Sequence, residues 1–301
     1  VEHKEQRQRR ITGAGFAITR LGRRIFSILR FTWERSMEER VLDAAAVAAY
    51  YSLFSLFPLL LLAVVLGSYF LESGYVMQNI LDAVSSVIPG ASEDLIRNNI
   101  KQILAHRGSV GVMGSIGLLW GASGVFLTIQ DNLTRAWPRE KPRGIWRAQL
   151  FTFVMITAFF FLLVLFSIAH AVVGILYTRL PRHSTPAFVY EYISPAALYG
   201  FIFFSFFVLY RWVPKADVRW PEALLAAFFA TVFSQLFTEG FGWFLKSGLN
   251  SYNLVYGALG TLIAFMFWLF VMNLTLFAGG YLSAAIAREM RPGLKQNSEI
   301  S

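Results

Sequence analysis

The chain has no cysteine, only four histidines and little charge. Without cysteine there is no disulfide framework, no thiolate metal site and no cysteine nucleophile. Charged residues make up 15% of the 301, against roughly 25% in an average soluble domain. That leaves too little polar surface to cover a fold in water. The histidines, His3, His106, His170 and His183, are scattered along the chain, and no H-E-x-x-H, G-x-S-x-G or P-loop occurs. Paired acids such as Glu93-Asp94 and Glu38-Glu39 stand apart instead of converging. A metal-dependent hydrolase needs convergent acids or histidines, so the sequence predicts no metal, no cofactor and no enzyme. Disorder is excluded as well, because hydrophobic residues reach 56%, with 29 Phe and 8 Trp. The net charge of +9 would point to nucleic acid only if it lay on one soluble face.

What is present instead is a set of long apolar runs. About 20 apolar residues cross a hydrocarbon core of roughly 30 Å. Six stretches free of Lys and Arg reach or approach that length: Ala44–Leu71, Ser109–Gln130, Ala148–Tyr177, Ile193–Tyr210, Ala223–Leu245 and Ser251–Ala287. Barrel strands would alternate over about ten residues, and these do not. The sixth is long enough to tilt or to extend beyond the bilayer. The expected fold is therefore an all-α polytopic membrane protein with six transmembrane helices.

The positive charges sort by side. Of the 27 Lys and Arg, 21 fall in the two terminal arms and in the 131–147 and 211–222 segments, and six in the other three connections. Positive loops stay cytoplasmic, so both termini are expected inside. The +9 becomes an orientation signal, and nucleic acid drops out as a partner. The expected organisation is a basic arm over 1–40, one transmembrane domain over 41–290 and a tail over 291–301.

Residues 1–40 do not read as a signal peptide, since the apolar run after them starts too late and is too long. Phe16, Leu21, Ile25, Ile28 and Leu29 share a helical face, with Arg20, Arg23, Arg24 and Arg30 largely elsewhere. This pattern predicts a helix on an anionic inner leaflet; a solvated basic arm is the plainer reading. In the outer segment 72–108, Val76, Ile80, Val84 and Val87, then Ile96, Ile100, Ile103 and Leu104, form two stripes separated by Pro89-Gly90. Two short amphipathic helices over the outer mouth are expected, with Ser92 as an N-cap.

Gly111, Gly114, Gly117, Gly121 and Gly124 lie near one face of the second span. Small residues let membrane helices approach closely, so helix packing outranks a substrate groove. Pro58 removes a backbone donor inside the first span and should kink it. Ionisable and polar groups at depth are better functional candidates. Glu239 follows Gln235 by four residues and precedes Lys246 by seven, on one face; a cavity role competes with a Glu–Lys pair near the outer boundary. Asn273, midway along the sixth span, reads first as a link between helices. Asp131 is placed to pair with Arg135 at the inner corner of the second.

Three stretches resemble the YihY/virulence factor BrkB family of bacterial inner-membrane proteins, once labelled ribonuclease BN. They are Ala48-Ala49-Tyr50-Tyr51-Ser52-Leu53-Phe54-Ser55-Leu56-Phe57-Pro58, then Leu119-Trp120-Gly121-Ala122-Ser123-Gly124 through Asn132-Leu133-Thr134-Arg135-Ala136-Trp137, and Ser251-Tyr252-Asn253 with Tyr256-Gly257-Ala258-Leu259-Gly260. Leu209-Tyr210-Arg211-Trp212-Val213-Pro214 is similar to the family's link between spans four and five. Where the family commonly carries a G-A-E-L-N-A-like sequence, this chain reads Gly279-Gly280-Tyr281-Leu282-Ser283-Ala284, so no role of that acid carries over.

The resemblance implies six spans and, from some relatives, a link to the export of envelope lipid. The expected function is a transporter or flippase-like exporter of an amphipathic, anionic envelope lipid, with Glu239, Gln235, Pro58, Asn273 and Tyr50 as candidate cavity residues. Membrane lipids of the anionic inner leaflet are the expected partners. The alternative is a non-transporting subunit that scaffolds a larger complex of membrane proteins.

Overall fold

Long runs of Leu, Phe and Ala without charge satisfy their backbone groups internally, and a helix does this within one segment. The computed structural model describes residues 22–70, 102, 105–137, 144–179, 187–247 and 252–291, and all regular structure among them is helical. Helix α1 covers 22–38, followed by α2 Val41–Phe70, α3 Arg107–Arg135, α4 Ile145–Arg179, α5 Ala187–Trp212, α6 Trp220–Lys246 and α7 Tyr252–Met290. Four of these (α3, α4, α6 and α7) contain stretches long and apolar enough to cross a membrane, and Val41–Leu56 and Leu198–Trp212 are shorter apolar stretches in α2 and α5. The outer segment with its two expected amphipathic helices lies outside the described residues, as do Phe16, Arg20 and Leu21.

Local chemistry sets the helix boundaries. Arg40 takes a positive φ of 54°, a left-handed step that ends one helix and lets α2 begin at once. Arg40 then pairs with Asp43 in the first turn of α2, at 2.6 Å. At the start of α6, Pro221 sits in the first turn and the Arg219 N–H donates to Glu222 Oε2 at 2.8 Å. Pro58 lies inside α2, which nevertheless runs unbroken from Val41 to Phe70.

Helices α2 to α7 form a ring in chain order, closed by α7 against α2, and among the described residues the α2–α3 contact is the most extensive. Helix α4 makes its substantial contacts only with α3 and α5. The glycine stripe of α3 faces α2. A Cβ on Gly111 would lie 3.2 Å from Val65 Cγ1, on Gly117 2.9 Å from Pro58 Cγ, on Gly121 2.9 Å from Ser55 Cβ and on Gly124 2.5 Å from Tyr51 Cδ1. Gly114, on the same stripe, is buried too. The α2 residues met by Gly111, Gly117, Gly121 and Gly124 are spaced seven, three and four apart, so they lie along one face of that helix. With lipid outside, this close approach replaces the hydrophobic drive that soluble helices use.

The stripe yields a signed prediction. Gly117→Ala pushes a methyl into the Pro58 ring and is expected to destabilise by about 1–3 kcal/mol. Gly240→Ala on α6 meets nothing within 4 Å and is expected to be neutral or to stabilise by up to ~1 kcal/mol through helix propensity. Thermal unfolding of the two variants in the same detergent checks the contrast; equal shifts would remove it.

Among the described residues, the buried core lies at one end of the ring. The core runs through Val41, Ala45 and Ala48 of α2, Ile129 and Leu133 of α3, Phe206–Tyr210 of α5, Ala223–Ala230 of α6 and Phe277–Ala287 of α7. These are the ends at which the arginine-rich segments emerge. The packed end and the basic end are the same.

Candidate functional site

The basic end is built from four chain segments far apart in sequence. Helix α1 lies along the last turns of α7: the Ser27 hydroxyl donates to Glu289 Oε1 at 2.8 Å, and the Arg288 guanidinium sits 4.7 Å from the centre of the Phe31 ring. The connection after α5 joins it through Arg291, whose Nη2 meets Glu222 Oε2 at 2.8 Å and whose Nη1 donates to the Asp217 carbonyl at 3.0 Å. Helix α3 enters with Leu133, which packs against Gly280, and with Arg135, whose charge acts on Tyr281 along with those of Arg35 and Glu39. All four segments that the charge count grouped on one side therefore meet.

The electrostatics there are lopsided. Arg35 is held by Glu38 and Glu39 at 3.1 and 3.0 Å, and Arg291 by Glu222. Exposed Arg30 pairs with Glu34 at 2.7 Å, and this hydrogen bond and attraction raise its guanidinium further above its usual value. Arg135, Arg147, Arg211 and Arg288 have no ion pair among the described residues. Asp131 and Arg135, expected to pair, do not. Several polar atoms are buried without partners: both amide atoms of Gln130, the hydroxyls of Thr134, Thr152, Tyr281 and Ser283, and Nε of Arg35, Arg211 and Arg288. Buried polar groups normally find partners, so among the described residues these atoms mark places where the bundle has polar capacity to spare.

The five candidate cavity residues do not meet. Glu239 is exposed, on the flank of α6 turned from α7, and Gln235 is half-buried one turn away; the side chain of Lys246 lies outside the described set, as does that of His170. Asn273 is buried but donates to the Leu269 carbonyl of its own helix at 2.8 Å, so it ties α7 to itself and not to a neighbour. Tyr50 is half-exposed in an aromatic group with Tyr51 and Phe54. Pro58 packs on Gly117. Of the candidate leaflet contacts, Arg20 lies outside the described residues, while Arg23, Arg24 and Arg30 lie on α1. That helix divides its apolar residues differently from the expected face. Ile25, Phe26, Leu29, Trp33 and Met37 form the exposed stripe, whereas Ile28 turns toward the bundle.

Glu222, Arg291 and Tyr210 are central to this end, yet sequence reasoning passed them over. Pro221-Glu222 directly after Trp220 carried a usable signal, an N1/N2 proline with an acid at N3. Nothing local announced Arg291, whose partner is 69 residues away. Among the described residues no group of three or more His, Asp or Glu is placed to hold a metal.

A model of the virulence factor BrkB family matches residues 32–300. The chain belongs to that family. The relatives of this BrkB-family protein carry matching names. A UPF0761 membrane protein of Chlorobium phaeobacteroides is 25% identical over 91% of this chain and 64% of its own length. One of Vibrio atlanticus is 26% identical over 86% and 82%, and one of Paraburkholderia xenovorans 23% identical over 86% and 59%. The chain thus spans somewhat under two thirds of two of these three relatives. No solved structure matches. The family and its relatives establish a membrane protein, consistent with the apolar helices. In this BrkB-family chain the segment Gly279-Gly280-Tyr281 is closely packed, with Gly279 under the Tyr210 ring and Gly280 under Leu133.

Proposed function

We propose that this BrkB-family protein is a six-span inner-membrane protein, both termini cytoplasmic, that moves an anionic amphipathic envelope lipid without enzymatic chemistry. The observation that carries this reading is the basic end: Arg135, Arg147, Arg211 and Arg288, which have no ion pair among the described residues, lie around a packed core at one end of an apolar helix bundle. Opposite charge is what such a face lacks, and an anionic headgroup brings it. The exposed stripe Phe26, Leu29, Trp33 and Met37 on α1, next to Arg30 and immediately before α2, supports contact with the same leaflet. Reconstitution into liposomes with fluorescent phosphatidylglycerol tests the reading. Protein-dependent transfer between leaflets is expected, and phosphatidylcholine should move more slowly. No movement above empty liposomes, with folded protein present, overturns it.

A second reading has its own support. On α6 the exposed carboxylate of Glu239 shares a flank with exposed Val232, Leu236 and Trp243. A carboxylate facing lipid is costly, and a neighbouring membrane subunit would shield it. A stoichiometric partner retained through purification in mild detergent, together with no lipid movement, favours the scaffold.

A further inference from the structure

A narrow crevice opens between α3, α4 and the end of α5, lined by Phe126, Gln130, Phe151, Thr152, Met155 and Val213. Four of its walls are apolar. The two polar ones are both about 2% exposed, and neither has a hydrogen-bond partner. Many other polar side chains within the helices do find a partner. Ser115, Thr128, Thr157, Ser205, Thr231 and Thr275 each return their hydroxyl to the carbonyl four residues back, at 2.8 to 2.9 Å. Asn132 and Asn273 do the same with their amides. Thr152 and Gln130 withhold theirs and present them to the same crevice. Burial of unpartnered polar groups is costly, and the crevice as it stands is too narrow for a water to relieve it.

The depth of the crevice is informative. Gln130 lies five residues before the end of α3 and Thr152 seven after the start of α4. At 1.5 Å per residue this is roughly 7–11 Å inside the basic end. Arg147, one helical turn before Phe151 on α4, is exposed and has no ion pair among the described residues. From the basic end inward the order is an exposed guanidinium, then an amide and a hydroxyl, then Phe126 and Met155. A phospholipid has the same order: phosphate, glycerol esters, acyl chain.

We infer that the α3–α4 crevice is a binding site for an anionic phospholipid of the leaflet at the basic end. Arg147 takes the phosphate, Gln130 Nε2 and the Thr152 hydroxyl donate to the ester carbonyls, and the Phe126, Phe151 and Met155 surfaces hold the start of an acyl chain. A small outward shift of α4, held substantially by α3 and α5 alone, admits the lipid from the side. The inference deepens the proposed function by placing where lipid enters, but it concerns binding and stands without transport.

The test uses the full chain in nanodiscs with a trace of phosphatidylglycerol bearing a photoactivatable group near its ester. Peptide mapping is expected to find label on residues 126–130 and 151–155, competed by phosphatidylglycerol and at least fivefold less by phosphatidylcholine. Gln130→Met with Thr152→Val removes two unpartnered groups at nearly constant volume. If those groups are only structural, that variant is as stable as the parent or more so and labels as before, which overturns the proposal. The expected result is unchanged or raised Tm with at least a fivefold loss of label. Should the pair fail to fold, exposed Arg147→Ala carries the test: retained label and retained headgroup preference overturn the site. Label without lipid movement in liposomes keeps the site and ends the transport reading; movement without label here does the reverse.

Discussion

Replacing Arg291 with alanine is expected to cost about 3–5 kcal/mol of stability. The reason is the group it would leave behind. Glu222 has a side chain with no solvent exposure and Arg291 only 16%. Glu222 Oε2 also caps α6 through the Arg219 N–H, so the carboxylate cannot turn away to find water. Removing the guanidinium strands a buried charge, whereas the intact pair contributes far less than that loss, because burying two ions offsets much of their attraction. Glu222→Gln should therefore hurt less than Arg291→Ala: its amide oxygen keeps the cap and no negative charge is stranded. The double variant Glu222→Gln/Arg291→Met should recover part of the loss of Arg291→Ala. Unfolding in detergent, followed by tryptophan fluorescence, measures all three. An Arg291→Ala shift below about 1 kcal/mol, the level of an exposed pair, would show that Glu222 is hydrated and that the basic end is looser than its packing suggests.

That pair also shows where the sequence was legible and where it was not. The helices were readable because their cause is local: a run without charge must satisfy its own backbone, and glycines at helical spacing must meet a neighbour. That the four arginine-rich segments gather at one end was readable for a different reason. Charge distribution is a property of whole segments, and the arm, 131–137, 211–222 and 288–291 do meet at one end. The site was not readable, because its contacts are pairwise and remote. Glu239 drew notice as an acid inside an apolar run, but a one-dimensional run does not say which side of a helix faces the bundle. Its flank is turned outward. Thr152 looked like any threonine in a membrane helix, and only the missing bond to its own backbone separates it from Thr128 or Thr157.

The distribution of packing bears on function. Among the described residues, Tyr210, Leu133, Phe277 and Ala226 cement the basic end, and α4 packs chiefly on its neighbours α3 and α5. The crevice lies where α4 meets that packed end.

If that packed end is what holds the bundle together, Gly279→Ala should be the most damaging small substitution in α7. A Cβ there would come within 2.7 Å of Tyr210 Cζ and 3.1 Å of its Cε2, and closer still to the hydroxyl. Tyr210 cannot step aside. It is fully buried, its ring stacks on Phe206 at 5.8 Å, and its hydroxyl donates to the Leu276 carbonyl at 2.9 Å. Overpacking a rigid site costs about 1–3 kcal/mol, and losing the buried hydrogen bond adds about 1 kcal/mol; the expected total is roughly 2–4 kcal/mol. Gly280→Ala meets instead the Cδ2 methyl of Leu133, the far end of a flexible side chain, and should cost roughly half as much. Tyr210→Phe in the Gly279→Ala background removes the nearest atom but leaves Cζ in place, so it should restore little, whereas Tyr210→Leu should restore more. Paired unfolding measurements on the four variants separate a collision with the ring from loss of the hydroxyl bond. Full rescue by phenylalanine would assign the damage to the hydroxyl alone, and equal losses at positions 279 and 280 would mean that Tyr210 is no more rigid than Leu133.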